Sequence, residues 1–368
     1  MTDWYAITNA QALDSPAVLL YPARIEQNLQ SMAAIAGGVQ RLRPHVKSHK
    51  LAQVVALKRA AGIDKFKVST IAEAEMTAAS GGADILLACQ PVGPQIGRLL
   101  ELMRRYPLTL FSTLVDDAFN LAAIAGAART CNLEVPLYLD VDVGMHRTGI
   151  TPGDAATALY RAICRTTGVR AAGLHAYDGH LRAADPQTLA PLVEQCFAPL
   201  WQMREQLRAD GFAVPGMVAG GTPTLALLAQ YPEVELGAGT TVLWDCGQAQ
   251  VCDMPHFLHA AVLFTRVISK PASDLLCLDL GHKAVASEMP HPRVLIFGLE
   301  DAVAVTHSEE HLVLQTPRAA SYQVGDVLYG IPRHVCPTMA LHNEVWAVRN
   351  GVAAQRWPVV ARSRRLSI

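Results

Sequence analysis

Residues 41–50 read RLRPHVKSHK, and the interpretation of the whole chain turns on this stretch. If it forms a strand, side-chain alternation places Arg43, His45 and Lys47 on one face. Lys47 then stands at the end of a strand, with His45 and His49 beside it. The ends of barrel strands are where α/β enzymes carry their reactive groups. A solvent-exposed lysine is the simpler interpretation, so the flanking sequence has to decide between the two.

The chain around this lysine alternates between apolar runs of strand length and segments rich in alanine and leucine. Residues 17–21 are an apolar strand, and the segment that begins at Pro22 has apolar residues at helical spacing. Strand-length runs then recur at 41–47, 66–70, 84–89, 108–115, 136–142, 171–177, 217–221 and 234–239. Strands that alternate with helices pair in parallel. Eight of them predict a (β/α)8 barrel of TIM type.

A doubly wound open sheet is the alternative for the same pattern. Polar residues follow most of the predicted strands and are not confined to one switch point, which favours the barrel.

After residues 252–255 the helical segments cease, and short strand-like runs follow one another along the rest of the chain. This pattern predicts a C-terminal all-β domain. We therefore expect a barrel over residues 21–252 and a β domain over residues 253–368. Residues 1–20 are expected to add an N-terminal strand to the β domain.

Composition excludes several classes of function. The chain has 368 residues and a formal net charge of 31 − 32 = −1, without the basic stripe that nucleic acid requires. No apolar run approaches the ~20 residues of a membrane span. The first residues lack a secretory pattern, and the eight cysteines are scattered without a CxxC pair. We expect a cytoplasmic protein that binds neither nucleic acid nor membrane.

Glycine–threonine loops follow the seventh and eighth predicted strands. Residues 219–224 read AGGTPT, and residues 237–241 read GAGTT. Backbone N–H groups approach a phosphate closely where glycine removes the side chain, and threonine hydroxyls add donors. Ordinary turns are the alternative, because glycine also marks turns. Two such loops at consecutive strand ends predict a phosphate cradle.

A lysine and a phosphate cradle together indicate pyridoxal phosphate bound as a Schiff base. The lysine must lose its proton to attack the aldehyde, and a nearby cation such as His45, His49 or Arg147 would favour the neutral amine. His175 and Tyr177 lie in HAYDGH at the end of the sixth strand, where Tyr177 would pack on the cofactor ring. Arg147 follows the fifth strand and would bond the phenolate oxygen of the ring.

A second signal lies in the β domain, where residues 330–338 read GIPRHVCPT. His334 and Cys336 are two residues apart, so their side chains point the same way in an extended segment. An imidazole and a thiolate suit Zn²⁺, and two protein ligands leave positions open for substrate or water. Residues 308–311, SEEH, would support the ligands or form a polar turn. From spacing alone, a buried cysteine beside a chance histidine is the simpler interpretation.

Together these motifs resemble one family. RPHVKSHK, VGMHRTG, HAYDGH, GGTPT, HVCPT and LHNEVWAV are similar to stretches of the metal-dependent D-threonine aldolases and D-serine dehydratases, which are relatives of the alanine racemases. The resemblance covers nearly the whole chain in the right order. The lysine and His-x-Cys motifs are its specific parts, and the glycine loops are generic.

The resemblance implies roles for particular residues. It implies pyridoxal phosphate on Lys47 and a divalent metal on His334 and Cys336, with zinc the expected ion and manganese the alternative. It also implies a homodimer whose active sites lie between the barrel of one subunit and the β domain of the other. The implied cofactor-binding residues are Lys47, Arg147, His175, Tyr177, Gly220, Gly221, Thr222, Gly239 and Thr240.

The motifs disagree about the reaction. Aldolases of this family usually carry His-x-Asp at the metal position and dehydratases His-x-Cys, which Cys336 matches. GGTPT also resembles the dehydratases, whereas LHNEVWAVRNG and WPVVARSR resemble the aldolases. We expect retro-aldol cleavage of a D-3-hydroxy amino acid such as D-threonine to glycine and an aldehyde. Dehydration of D-serine or 3-hydroxy-D-aspartate to a 2-oxo acid and ammonia is the alternative.

Both reactions begin when the substrate replaces Lys47 on the cofactor. In the aldolase, His180 or a hydroxide on the metal would take the proton of the β-hydroxyl group. In the dehydratase, Lys47 would take the Cα proton and the metal would help the hydroxyl leave. An amino-acid racemase, which needs no metal, and a pyridoxal-phosphate carrier, which needs no β domain, are less favoured.

Overall fold

The computed structural model describes residues 3–183 and 185–368. Its helices are Pro22–Ala36 (α1), Ala52–Ala60 (α2), Ile71–Ala79 (α3), Pro94–Arg105 (α4), Ala118–Thr130 (α5), Asp154–Arg165 (α6), Pro186–Ala209 (α7), Leu225–Leu228 (α8), Cys246–Val251 (α9) and Val335–Leu341 (α10). Within these residues, none of the helices combines the length and the apolar character that crossing a bilayer requires.

The strands fall into two sheets. They are Ala17–Leu20 (β1), Lys65–Val68 (β2), Asp84–Leu87 (β3), Leu110–Val115 (β4), Val135–Val141 (β5), Val169–Ala176 (β6), Gly216–Ala219 (β7), Glu235–Leu236 (β8), Ala261–Ser269 (β9), Leu275–Leu278 (β10), Val294–Ile296 (β11), Val303–His307 (β12), Leu312–Gln315 (β13), Val327–Pro332 (β14), Glu344–Arg349 (β15) and Val352–Pro358 (β16).

The first sheet is a parallel barrel in which β2 to β8 follow one another in chain order. Residues 42–45 occupy the eighth position. His45 bridges Lys67 of β2 in parallel, and its N–H group donates to the carbonyl of Ala238, just past β8, at 3.2 Å. The segment thus joins the two edges of the sheet, with a helix after each strand. The predicted barrel with alternating strands and helices is confirmed.

The strand predicted over residues 41–47 is shorter than expected. Val39–Arg41 and Val46–Ser48 form 3-10 turns on either side of the bridging residues. The N–H group of Lys47 donates to His45 Nδ1 at 3.2 Å, so a side chain takes the place of a neighbouring strand. Lys47 therefore lies in a turn, and the prediction that it shares a strand face with Arg43 was wrong.

A buried cluster of ion pairs lies at the amino-terminal end of the barrel strands. Arg43 is 1% exposed and donates to both oxygens of Asp84, each at 2.8 Å, and to Glu235 at 2.6 Å. A bidentate pair of this kind compensates the desolvation of a buried guanidinium group. Reactive groups are therefore expected at the opposite end, where the carboxyl ends of the strands meet.

The second sheet forms the β domain, in the order β12-β13-β10-β9-β1-β15-β16, with β14 between β9 and β11. Strand β1 pairs with β9 and β15, and Leu19 and Leu20 in it are fully buried. Strands β9 to β16 follow one another in this part of the chain, as the all-β pattern predicts, and α10 is a helix that the pattern did not predict. The domain boundaries at 20/21 and 252/253 stay predictions.

Candidate active site

Lys47 is oriented through a neutral histidine. His45 accepts the N–H group of Lys47 at Nδ1, so Nε2 carries the proton and donates to the hydroxyl of Ser69 at 3.1 Å. Burial, and then the positive charges of Lys47 and Lys67, hold the pKa of His45 well below its usual value. The expectation that His45 is a cation beside the lysine was wrong, because a buried ring among lysines loses its proton.

His49 is neutral for the same reason. Its Nδ1 atom accepts the N–H group of Leu51 at 3.1 Å, so its protonated Nε2 faces Lys58 Nζ at 2.9 Å. Burial lowers the pKa of Lys58 to about 7, which fits an uncharged amine that accepts this proton. Both side chains are fully buried, so the expected cation at His49 was also wrong.

Three basic side chains gather around the ring of Tyr177. Lys47 Nζ lies 5.5 Å from the ring centroid, Lys67 Nζ 5.6 Å, and the guanidinium carbon of Arg147 4.8 Å. All three distances are within the range of cation–π interaction. Lys47, Arg147 and Tyr177 were predicted to act together, and the fold brings them together. Lys67 was missed, because FKVST looks like an ordinary strand until its pairing with His45 is known.

Lys67 is buried, with 2% of its surface exposed. Burial, followed by the charge of Lys47, lowers its pKa to about 7, although Asp178 and Asp140 oppose the shift. A Cβ atom on Gly237 would lie 2.3 Å from Lys67 Nζ. Glycine at the end of β8 therefore leaves the space that the amine occupies.

His175 and Asp178 contribute buried polar atoms without partners. His175 donates from Nδ1 to Asp140 on the adjacent strand β5 at 2.7 Å, and burial nevertheless lowers its pKa. Asp178 accepts the hydroxyl of Thr224 at 2.6 Å through Oδ2. Within the described ranges, His175 Nε2 and Asp178 Oδ1 are buried and make no hydrogen bond. Buried atoms left in this state are features that a bound ligand can satisfy.

The loops after β7 and β8 leave space that side chains would fill. A Cβ atom on Gly221 would lie 3.3 Å from the ring of Tyr177, and one on Gly239 would lie 2.8 Å from the Cβ atom of His45. Such loops fit a phosphate group, and the neighbouring ring and amines fit the rest of pyridoxal phosphate. The predicted phosphate-binding residues of these loops are Gly220, Gly221, Thr222, Gly239 and Thr240.

His180, the predicted base, lies at the rim. It is exposed after β6, its Nε2 atom is 3.7 Å from Cys196 Sγ on α7, and its ring faces Gly144. In the part of the chain that is described, it makes no hydrogen bond to Lys47 or Tyr177. Its catalytic role stays a prediction.

His334 and Cys336 lie at the start of α10 and not in an extended segment, so that prediction was wrong. The physical reason is Asp245, whose Oδ2 atom accepts the N–H group of Val335 at 2.8 Å and satisfies the first turn of the helix. The two side chains are nevertheless close enough for Cys336 to help raise the pKa of His334.

Glu288 supports the histidine. Its carboxylate lies 2.5 Å from His334 Nδ1, which fixes the ring and leaves Nε2 free to bind a metal. Burial lowers the pKa of His334, but Cys336 and Glu288 outweigh it and raise the pKa to about 9. Of the two roles considered for residues 308–311, the polar turn is the one that forms: the N–H group of Ser308 donates to the carbonyl of His311 at 2.9 Å between β12 and β13. Glu309 and Glu310 pair with Lys283 at the surface, at 2.6 and 3.3 Å.

The donor atoms suit a soft divalent cation. No group of three or more His, Cys, Asp or Glu side chains that could hold a metal occurs in residues 3–183 and 185–368. An imidazole and a thiolate alone fit zinc with positions left for other ligands. Thr240 Oγ1 lies 3.7 Å from Cys336 Sγ, so the predicted metal ligands are beside the predicted phosphate loop.

Comparisons with known proteins match both parts of the chain. Residues 21–243 match the alanine racemase N-terminal domain, and residues 260–348 match a putative serine dehydratase domain. D-threonine aldolase of Arthrobacter sp. is 30% identical over 358 residues, which cover 95% of this chain and 93% of the relative. D-threo-3-hydroxyaspartate dehydratase of Delftia sp. (strain HT23) is 36% identical over 374 residues, which cover 94% and 97%.

Solved structures agree over the same length. D-threonine aldolase from Filomicrobium marinum has a TM-score of 0.87 at 26% identity, and the match covers 97% of both chains. A cysteine-to-alanine mutant of D-threo-3-hydroxyaspartate dehydratase in the metal-free form has a TM-score of 0.83 at 26% identity, covering 95% and 98%. The chain therefore belongs to the D-threonine aldolase and D-serine dehydratase family, a group of alanine racemase-like, pyridoxal-phosphate-dependent lyases.

Proposed function

We propose that the protein is a pyridoxal-phosphate- and divalent-metal-dependent lyase that cleaves D-3-hydroxy amino acids to glycine and an aldehyde. The contact between Thr240 of the phosphate loop and Cys336, at 3.7 Å, carries the proposal. A cofactor loop and a pair of metal ligands in contact suit a substrate with an amino group and a hydroxyl group on neighbouring carbons.

The proposed cofactor site assigns residues to the aldehyde, the phosphate and the phenolate oxygen of pyridoxal phosphate. Lys47 would hold its aldehyde carbon, the glycine–threonine loops would hold its phosphate, and Arg147 would bind its phenolate oxygen. Tyr177 and His175 line the ring. When bound, the cofactor withdraws electrons from the bonds at Cα. His45 holds the Lys47 turn in place from the barrel side, through hydrogen bonds at 3.2 and 3.1 Å.

The metal site acts on the other end of the substrate. His334 and Cys336 hold a zinc ion, which supplies Lewis-acid polarisation at the β-oxygen. Glu288 keeps the imidazole in the tautomer that binds metal. His180 receives the proton of the β-hydroxyl group as the Cα–Cβ bond breaks.

Dehydration is the second candidate, and Cys336 favours it. One solved structure of D-threo-3-hydroxyaspartate dehydratase is a cysteine-to-alanine mutant in the metal-free form, and it is 26% identical to this chain. In this reaction Lys47 takes the proton from Cα and the hydroxyl group leaves. Binding residues are the same in both reactions, so they do not distinguish the two.

Family resemblance further supports a homodimer with active sites between subunits and a cytoplasmic location. Light scattering on the purified protein measures the oligomeric state. A monomer that is fully active would contradict shared active sites.

The test is a product assay. The protein, loaded with pyridoxal phosphate and Zn²⁺ or Mn²⁺, is incubated separately with D-threonine and D-serine, and products are identified by mass. Glycine with acetaldehyde is the expected result. A 2-oxo acid with ammonia would replace the aldolase by the dehydratase, and neither product would refute the substrate class.

Cysteine variants separate metal-dependent lyases from a racemase or a cofactor carrier. Cys336→Ala is expected to lose the chelator-sensitive activity. Cys164→Ala, at an exposed free thiol on α6, is the matched control and is expected to keep it. Equal activity of the two variants would show that Cys336 is not required for the reaction.

A further inference from the structure

Lys67 is a buried amine to which the reaction described above gives no role. The residue is 2% exposed, and its amine lies over the ring of Tyr177. Two other fully buried basic side chains have partners: Arg43 binds Asp84, and Lys58 faces His49. An amine on a buried side chain that faces an aromatic ring can donate to a ligand bound against that ring.

The position of the amine narrows the choice of ligand. It lies 5.6 Å from the centroid of the Tyr177 ring and occupies the space beside Gly237. Gly237 precedes the phosphate-loop residue Gly239 by two positions. The amine therefore lies between the aromatic side chain that would line the cofactor ring and the strand that leads into the phosphate loop.

Pyridoxal phosphate has four polar features, which are the phosphate, the aldehyde, the phenolate oxygen and the ring nitrogen. Under the proposed function, on which this inference rests, the glycine–threonine loops, Lys47 and Arg147 account for the first three. We propose that Lys67 donates a hydrogen bond to the ring nitrogen of bound pyridoxal phosphate. Its amine is the remaining basic group of the Tyr177 cluster, and the ring nitrogen is the remaining acceptor.

The chemistry of the contact follows from the donor. A lysine amine carries N–H groups whether or not it is protonated, so it donates to the nitrogen in either state. A nitrogen that accepts this bond stays unprotonated, whereas a carboxylate at the same place would favour the protonated ring. Lys67 thereby sets how strongly the ring withdraws electrons from a bound substrate.

The test compares two cofactors in two proteins. The second cofactor is an analogue of pyridoxal phosphate in which C–H replaces the ring nitrogen. The affinity of each cofactor for Lys67→Met and for the wild type is measured by absorbance titration of the metal-loaded full chain. Lys67→Met is expected to lower the affinity for pyridoxal phosphate by about tenfold to a hundredfold. It is expected to lower the affinity for the analogue by less than about threefold. Lys67→Gln, which keeps N–H donors, is expected to recover part of the loss.

Lys58→Met is the matched control, because it removes another buried amine whose pKa is about 7 but which lies against His49. It should bind both cofactors as the wild type does. Equal weakening of both cofactors by Lys67→Met, or no weakening, would overturn the inference. If Lys67→Met does not fold, the same comparison between Lys67→Gln and the wild type decides, since the amide donor should still favour pyridoxal phosphate over the analogue.

Borohydride reduction gives an independent result. The expected pyridoxyl label is on Lys47, and a label on Lys67 would make it a second attachment site and overturn the proposed contact. A wild-type protein that binds no pyridoxal phosphate would refute the proposed function itself. If the wild type binds pyridoxal phosphate and Lys67→Met binds it with the same affinity, this inference is refuted and the proposed function is not.

Discussion

Replacing Lys58 by methionine is expected to flatten the pH dependence of stability between pH 7 and pH 9. Lys58 is fully buried in α2 and meets His49 Nε2 at 2.9 Å. Burial lowers its pKa from 10.5 to about 7. The unfolded chain therefore holds a proton that the folded chain lacks across this window, and stability rises with pH there.

The magnitude follows from the two pKa values. Integrating the linkage relation between pH 7 and pH 9 gives the wild type about 2 kcal/mol of additional unfolding free energy. Methionine does not titrate, so Lys58→Met does not gain this amount. Loss of the amine also leaves His49 without its acceptor, which costs about 1–3 kcal/mol at every pH. The wild type should therefore exceed the variant by about 2 kcal/mol more at pH 9 than at pH 7.

Urea unfolding at pH 7, 8 and 9 measures this difference for the wild type, Lys58→Met and Lys283→Met. Lys283 is the control, because it is exposed and Glu309 and Glu310 raise its pKa, so it titrates above the window. The Lys283→Met curve should run parallel to the wild type. A parallel curve for Lys58→Met would show that the buried amine keeps its charge in the folded protein and would refute the reasoning.

Glu288→Gln is expected to weaken zinc binding by about tenfold to a hundredfold, because the carboxylate no longer orients the metal-binding histidine. Competition with a chromophoric chelator measures it, and an equal loss in Glu310→Gln would contradict it. Gly239→Ala is expected to destabilise the protein by about 1–3 kcal/mol and to weaken cofactor binding, since its Cβ atom would lie 2.8 Å from a buried histidine. Gly126→Ala, with no atom nearer than 3.8 Å, should instead stabilise helix α5 by about 0.5–1 kcal/mol, and thermal unfolding compares the two. Asp245→Ala is expected to lower both stability and zinc affinity, because its carboxylate holds the start of α10; unchanged zinc affinity in a chelator titration would sink this explanation.

Most of the barrel could be predicted because parallel strands buried on both faces leave a local pattern. The runs at 84–89 and 136–142 correspond to β3 and β5 within two residues at either end. The first predicted strand, residues 41–47, was harder to predict, because the position at which it ends depends on one side chain. The lone pair of His45 takes the N–H group of Lys47 and turns the chain, and neither apolar periodicity nor propensity encodes that choice.

The sequence analysis missed Lys67 and Glu288, because only the tertiary structure brings these residues to the site. Lys67 alternates with Phe66 and Val68 like any strand residue, and only its register against His45 brings its amine to the barrel mouth. Glu288 lies in a loop 46 residues before His334, so no spacing rule connects them. The sequence did mark Lys47, the glycine loops and the His-x-Cys pair, because close backbone approach and metal binding each demand particular residue types.

The two halves of the site depend on one another through a short stretch of chain. Thr240 touches Cys336, and Asp245, five residues later, bonds the backbone N–H group of Val335. Because Asp245 holds the backbone and not a ligand side chain, the side chain at position 336 can differ between relatives without loosening the start of α10. A carboxylate there would favour a harder ion than a thiolate does, with the cofactor pocket unchanged. Aldolases and dehydratases of this family can therefore share one scaffold, and the reaction has to be decided by products and not by the fold.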